Sequence, residues 1–155
     1  MGFGELSVKG RALRLLARRE HSRAELERKL APHVEDTPEA SATEQIRAAL
    51  DDLAARGLLS DQRAADSVLL SQGRRHGSRR LEQTLRAKGL GPELVAATLL
   101  QARATELERA REVWRRRFGV APADAAERAR QMRFLAGRGF DSEVIRRVIQ
   151  GAGDD

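Results

Sequence analysis

"RGLLSDQRAADS", residues 56–67, closes one helix and opens another almost at once. Gly57 offers the left-handed backbone that ends a helix, and Ser60-Asp61 offer the side-chain acceptors that begin the next. Only Leu58 and Leu59 lie between. The same punctuation returns as "KGLGPE" at 88–93 and "RGFDSE" at 138–143, each time with a basic residue ahead of the glycine. A cation there complements the negative end of the helix, worth about 0.3–1 kcal/mol. That role alone accounts for Arg56, Lys88 and Arg138.

Between these stops, apolar residues recur at helical spacing and no stretch alternates as a half-buried strand would. Leu13, Leu16 and Ala17 mark a first helix. In "HSRAELERKL" (21–30) Ser22 and Glu25 form a capping box ahead of Leu26 and Leu30. "PHVEDTPEAS" (32–41) reads as a mobile polar loop. Ser41 and Glu44 form a second capping box and open a helix that turns Ile46, Ala49, Leu50 and Leu53 to one side. A second set carries Ala64, Ala65 and Val68, breaks at Gly73 and restarts near Gly77-Ser78 with Leu81 and Leu85. Pro92 then sits in the first turn of a helix bearing Val95, Thr98 and Leu99. A third set runs Leu107, Ala110, Trp114 and Phe118 to a stop at Gly119. Asp124 and Glu127 open its second helix, with Met132 and Leu135 inward and Gly139 as terminator. Asp141 caps the last helix, which carries Val144, Ile145, Val148 and Ile149.

The spacing therefore predicts nine helices of about 10–16 residues in three sets. Shifted by 55, "HGSRRLEQTL" (76–85) lies on "HSRAELERKL" without gaps; shifted by 50, Lys88-Gly89 lies on Arg138-Gly139. The expected fold is all-α, three tandem three-helix repeats in an elongated, curved array. The boundaries fall at 1–60, 61–105 and 106–150, with a tail at 151–155.

The chain has 155 residues, 29 basic and 23 acidic, for a net charge of +6. All but Lys9, Lys29 and Lys88 of the cations are arginine, which suits bidentate contact with phosphates and carboxylates. There is no cysteine, so disulfides and thiolate metal sites are excluded and a cytoplasmic location is expected. No run is apolar enough for a membrane span. Four of the five aromatics (Trp114, Phe118, Phe134, Phe140) fall in the last third, so base stacking is not available along the whole chain.

Charge is not evenly spread. Residues 1–60 balance ten cations with ten acids, while "GRRHGSRRLEQTLRAK" (73–88) sets six cations against Glu82 alone. Solvated helix faces normally intersperse their signs. This window groups Arg74, Arg75, Arg79 and Arg80 around a helix start, where backbone N–H groups also favour anions. Arg86 and Lys88 extend it, and Arg115, Arg116 and Arg117 add a second basic run. These nine residues form the candidate anion-binding surface. Arg11, Arg14 and Arg18, in the neutral first set, are expected to matter less. His21, His33 and His76 have no metal-ligand spacing and are expected to be exposed or capping. Catalytic constellations and Gly-rich phosphate loops are absent, so neither enzyme activity nor a cofactor is expected.

Taken in order, "ALRLLARREHSRAELERKL" (12–30), "ALDDLAARGLLSDQRAADS" (49–67), "GSRRLEQTLRAKGL" (77–90), "RRRFG" (115–119) and "RQMRFLAGRGFDSEVIRRVI" (130–149) resemble the RecX family, bacterial modulators of the RecA recombinase. The resemblance spans roughly residues 9–150. It departs at Ala64, where family members often carry an aromatic. It implies three tandem three-helix repeats and a monomer that lies in the groove of the RecA filament on single-stranded DNA. There it would inhibit ATP hydrolysis, strand exchange and filament growth. It also implies direct DNA contact, with the nine basic residues as the RecA- and DNA-binding set. The competing class is a stand-alone DNA-binding protein of tandem helix-turn-helix type.

Overall fold

The computed structural model of the chain describes residues 6–153. Among the described residues every regular element is helical: α1 (Val8–Leu16), α2 (Arg23–Leu30), a 3₁₀ turn (Ala31–His33), α3 (Ala42–Ala55), α4 (Asp61–Gln72), α5 (Ser78–Ala87), α6 (Pro92–Arg117), α7 (Ala125–Gly137) and α8 (Ser142–Gly151). None of these is long and apolar enough to cross a membrane. Eight α-helices stand where spacing predicts nine, because the helices expected around Val95–Leu99 and Leu107–Phe118 are one continuous helix of 26 residues, α6. No glycine or proline lies within it after Pro92, so nothing interrupts its hydrogen-bond ladder. The chain divides into two compact units: Met1–Ala65 with Lys88–Leu90, and Asp66–Ala87 with Gly91–Asp155.

In the first unit, Ala12, Leu26, Leu30, Ile46, Leu50, Leu53 and Leu59 form the core, with Val8, Leu15, Leu16 and Val34 packed against it. The α1 stripe differs from expectation. Ala12 is fully buried, Leu13 is 39% exposed, and Ala17 is an exposed C-cap. The helix starts earlier than Leu13 suggests, with Ser7 Oγ accepting from Gly10 N–H at 3.0 Å. That start puts Val8, Ala12, Leu15 and Leu16 on one face. The Ser22–Glu25 capping box forms as expected. At α3, Ser41 Oγ accepts from Glu44 N–H at 3.1 Å. The loop before α3 is pinned rather than loose: Asp36 Oδ1 accepts from Ala42 N–H at 2.6 Å, and Gln45 Nε2 donates to Glu35 O at 2.8 Å.

The second unit centres on Ala110, Trp114, Leu135, Phe140, Ile145, Val148 and Ile149. Its polar core pair is well satisfied. Trp114 Nε1 donates to Gln131 Oε1 at 2.8 Å, and the buried Gln131 donates to Val120 O at 3.1 Å.

One kind of joint occurs in each unit. In the first, Ser22 Oγ donates to Lys88 O, and Arg23 N–H donates to Asp61 Oδ1 at 2.8 Å. In the second, Gly77 N–H donates to Arg138 O at 2.9 Å, and Ser78 N–H donates to Glu106 Oε1 at 3.0 Å. A helix start thus receives a basic-glycine turn and a carboxylate from far along the chain. The start's orphan amides are satisfied without solvent.

Candidate interaction surface

The window at 73–88 is built on α4, α5 and α6 of the second unit. After α4 ends, Gly73 N–H donates to Leu69 O and His76 N–H to Gln72 O, both at 3.0 Å, which curls residues 73–76 into a turn. Arg109 of α6 fixes that turn from within. Its Nη1 donates to the carbonyls of Gly73 and His76, the latter at 2.7 Å, and its Nη2 donates to Ala102 O at 2.7 Å. Burial lowers the Arg109 pKa from its usual value, and the nearby Glu106 charge opposes this. Arg109 thus spends its guanidinium on backbone carbonyls.

Glu106 is the second internal element, 2% exposed. Its carboxylate accepts from Ser78 N–H, from Ser78 Oγ at 2.9 Å and from Asp141 N–H at 3.2 Å. Arg79 N–H donates to Gly139 O at 3.1 Å. The amides of 77, 78 and 79 therefore all have internal acceptors. The expected open anion site on the start of α5 is filled by the chain's own carboxylate and carbonyls. Sequence reading passed over Glu106, although it lies in register with Ala102 and Ala110 on the apolar stripe of α6. A carboxylate on such a stripe has to be buried and paired.

On this framework the side chains of Arg74, Arg75, Arg79 and Arg80 are all exposed. Arg79 reaches Asp141 at 3.8 Å. Arg74, Arg75 and Arg80 have no ion-pair partner among the described residues. His76 registers their field: burial lowers its pKa from the usual value, and Arg80, Arg138 and Arg75 lower it further.

The other candidates have neighbours of their own. Arg86 pairs with Glu82 at 2.9 Å, and Arg115 and Arg116 share Glu112 at 3.7 and 3.1 Å. Arg117 lies 5.7 Å from the Phe118 ring centre and 5.4 Å from that of Phe134, cation–π distances that leave its charge outward. Lys88 belongs to the first unit, where its half-buried amine lies 3.3 Å from Glu25. The structure thus gathers four arginines around the start of α5, and sets Arg115, Arg116 and Arg117 at the end of α6.

His21 corrects an expectation. It is 1% exposed, with Nδ1 at 3.0 Å from Arg19 O and Nε2 at 3.4 Å from Lys29 Nζ. Nδ1–H donates to the carbonyl and Nε2 faces the ammonium, which fixes a neutral ring. Burial is the main cause that lowers its pKa.

Family models of "RecX, first three-helix domain" and "RecX, third three-helix domain" match residues 9–36 and 104–149. The regulatory protein RecX of Leptothrix cholodnii is 55% identical over 146 residues, covering 94% of this chain and 89% of that protein. The regulatory protein RecX of Ralstonia nicotianae is 49% identical over 147 residues, covering 95% and 89%. The crystal structure of RecX from Lactobacillus salivarius superposes with a TM-score of 0.76 at 18% identity, covering 96% of each chain, and shares the fold. The chain belongs to the RecX family of regulatory proteins.

Proposed function

We propose that this chain regulates RecA by binding the RecA filament on single-stranded DNA, lying in the filament groove and inhibiting ATP hydrolysis, strand exchange and filament growth. Its three helical sets, residues 1–60, 61–105 and 106–150, act as linked contact modules whose weak bindings reinforce one another. Family membership supports the regulatory role. The observation that carries the contact surface is the arginine cluster at 74, 75, 79 and 80: exposed and mostly unpaired, on a turn clamped by Arg109 and Glu106. With the backbone of the turn already clamped, only the arginine side chains have to be ordered when they engage phosphates or carboxylates. Arg86, Arg115, Arg116 and Arg117 extend the basic surface, and Lys88 belongs to the same RecA- and DNA-binding set.

The test reverses Arg74, Arg75, Arg79 and Arg80 to glutamate together. Expected is a loss of at least tenfold in potency against filament-dependent ATPase, with helicity by circular dichroism retained. Reversing Arg103 of α6 and Arg128 of α7, both exposed and outside the nine-residue set, serves as the control and leaves potency within about twofold. Binding to bare single-stranded DNA across a salt series separates the two anionic surfaces. If the arginines engage phosphates, the salt slope flattens by about 0.7 for each phosphate that is no longer neutralised. A quadruple variant that inhibits as wild type does overturns the assignment.

A further inference from the structure

Residues 1–60 sum to zero charge, but that balance conceals a segregation. Arg11 and Arg14 on α1, Arg18 just beyond it, Lys29 on α2 and His33 all border one cavity of about 310 Å³ in the first unit. Its apolar lining is Leu6, Leu15 and Leu30, and among the described residues no acidic side chain lines it. Several of the unit's acids pair away from it: Glu20 with Arg63, Glu25 with Arg19 and Lys88, Asp51 with Arg23, and Asp52 with Lys9. Arg11, Arg14 and Arg18 have no ion-pair partner among the described residues. The nearest polar contact of Lys29 is the neutral His21 ring. Spaced three and four apart, the three arginines follow one face of the chain.

We propose that this groove is a docking site for an acidic peptide segment that carries an aliphatic side chain. The peptide's carboxylates engage Arg11, Arg14, Arg18 and Lys29, and its aliphatic group fills the space beside Leu6, Leu15 and Leu30. The volume lies at the lower end of the roughly 300–1,000 Å³ common to small binding pockets. Two features favour a peptide over a nucleic acid. Among the described residues no aromatic ring lines the cavity, so these offer an unstacked base no platform. Phosphates alone would leave the leucine lining uncovered, whereas an amphipathic acidic peptide satisfies both its charge and its apolar character. The site shares no residue with the arginine cluster of the second unit and stands independently of what that cluster binds.

The probe is a fluorescent glutamate-rich peptide with two leucines four positions apart, titrated with the full chain by anisotropy. Binding is expected, weaker by about tenfold or more when both leucines become serine. The combined variant Arg11→Ala, Arg14→Ala, Arg18→Ala is expected to lose affinity by a similar factor while keeping its thermal midpoint. Leu6→Ser, at a residue 37% exposed, is expected to weaken the leucine peptide and leave the serine peptide unchanged. Failure of the wild-type chain to bind the peptide overturns the proposal. So does equal affinity for the leucine and serine peptides. If oligodeoxythymidylate displaces the peptide and the arginine variant loses DNA binding equally, the groove is a nucleic-acid face and the proposal falls.

Discussion

Replacing Glu25 with glutamine probes the joint of the first unit. The carboxylate is 7% exposed; it accepts from Ser22 N–H at 3.0 Å and pairs with Arg19 at 2.9 Å and Lys88 at 3.3 Å. Burial pushes its pKa up, but the Ser22 amide and the two cations outweigh burial and bring it from 4.5 to about 2. The folded pKa is depressed, so the stabilisation is complete above the unfolded value near 4.5. It is lost as pH falls toward 2. Each pKa unit corresponds to about 1.4 kcal/mol, so the ionised network contributes about 3 kcal/mol at pH 7. At pH 3 the unfolded carboxyl is already protonated and the folded one is still charged, which removes about 2 kcal/mol of this. Urea unfolding of the wild-type chain and Glu25→Gln at both pH values isolates this group from the other carboxylates. The stability gap should narrow by about 2 kcal/mol from pH 7 to pH 3. High salt should change the gap little, because the carboxylate is shielded from solvent ions. A gap that stays constant within about 0.5 kcal/mol refutes the reasoning.

Glu106→Ala strands the amides of Ser78 and Asp141 and the Ser78 hydroxyl; a cost of about 3 kcal/mol is expected by urea unfolding, and Glu106→Gln should recover at least half of it. A cost below about 1 kcal/mol would show that water replaces the carboxylate. Gly57→Ala and Gly139→Ala share a positive φ, at +75° and +86°, but a Cβ at 57 meets nothing within 4 Å while one at 139 comes within 2.7 Å of Arg80 N. Gly57→Ala should lose about 1 kcal/mol and Gly139→Ala at least about 2 kcal/mol more; equal losses would mean the close approach is absent.

Local chemistry was legible in the sequence where cause and effect lie within a few residues of each other. Gly57, Gly89, Gly119 and Gly139 all take positive φ, so each stop is where its glycine placed it. The stripes Ile46–Ala49–Leu50–Leu53 and Ile145–Val148–Ile149 are buried as their spacing requires. Reading failed where the partner is distant. Nothing near Glu106 announces Ser78, 28 residues earlier, or Asp141, 35 later. Nothing in the sequence marks Arg109 as internal, because its acceptors, Gly73 and His76, are carbonyls, which any residue provides. The break expected between Leu99 and Leu107 does not occur, because no glycine or proline lies there and the ladder runs on through it. Of the candidate site, exposure of the four clustered arginines was legible, and the occupied amides beneath them were not.

The basic-glycine turns serve two purposes, which the structure separates. At 57 the glycine only supplies a left-handed residue, since nothing approaches it. At 89 and 139 the missing Cβ is a second requirement: a Cβ would lie 2.6 Å from Ala24 Cβ in the one case and against the Arg80 backbone in the other. In both, the residue before the glycine presents its carbonyl to a helix start, Lys88 O to Ser22 Oγ and Arg138 O to Gly77 N–H. The cation at these positions complements the helix end, and at 88 its amine also pairs with Glu25, while the carbonyl makes the joint. This places Arg79 and Arg80 through their backbones: Arg79 by its N–H to Gly139 O, and Arg80 by its packing on Gly139. Of the two guanidinium groups, that of Arg79 also reaches Asp141 at 3.8 Å, while Arg80 has no ion-pair partner among the described residues. Charge reversal at Arg80 therefore reports on binding rather than on folding, whereas at Arg79 it also sets a carboxylate beside the Asp141 cap of α8.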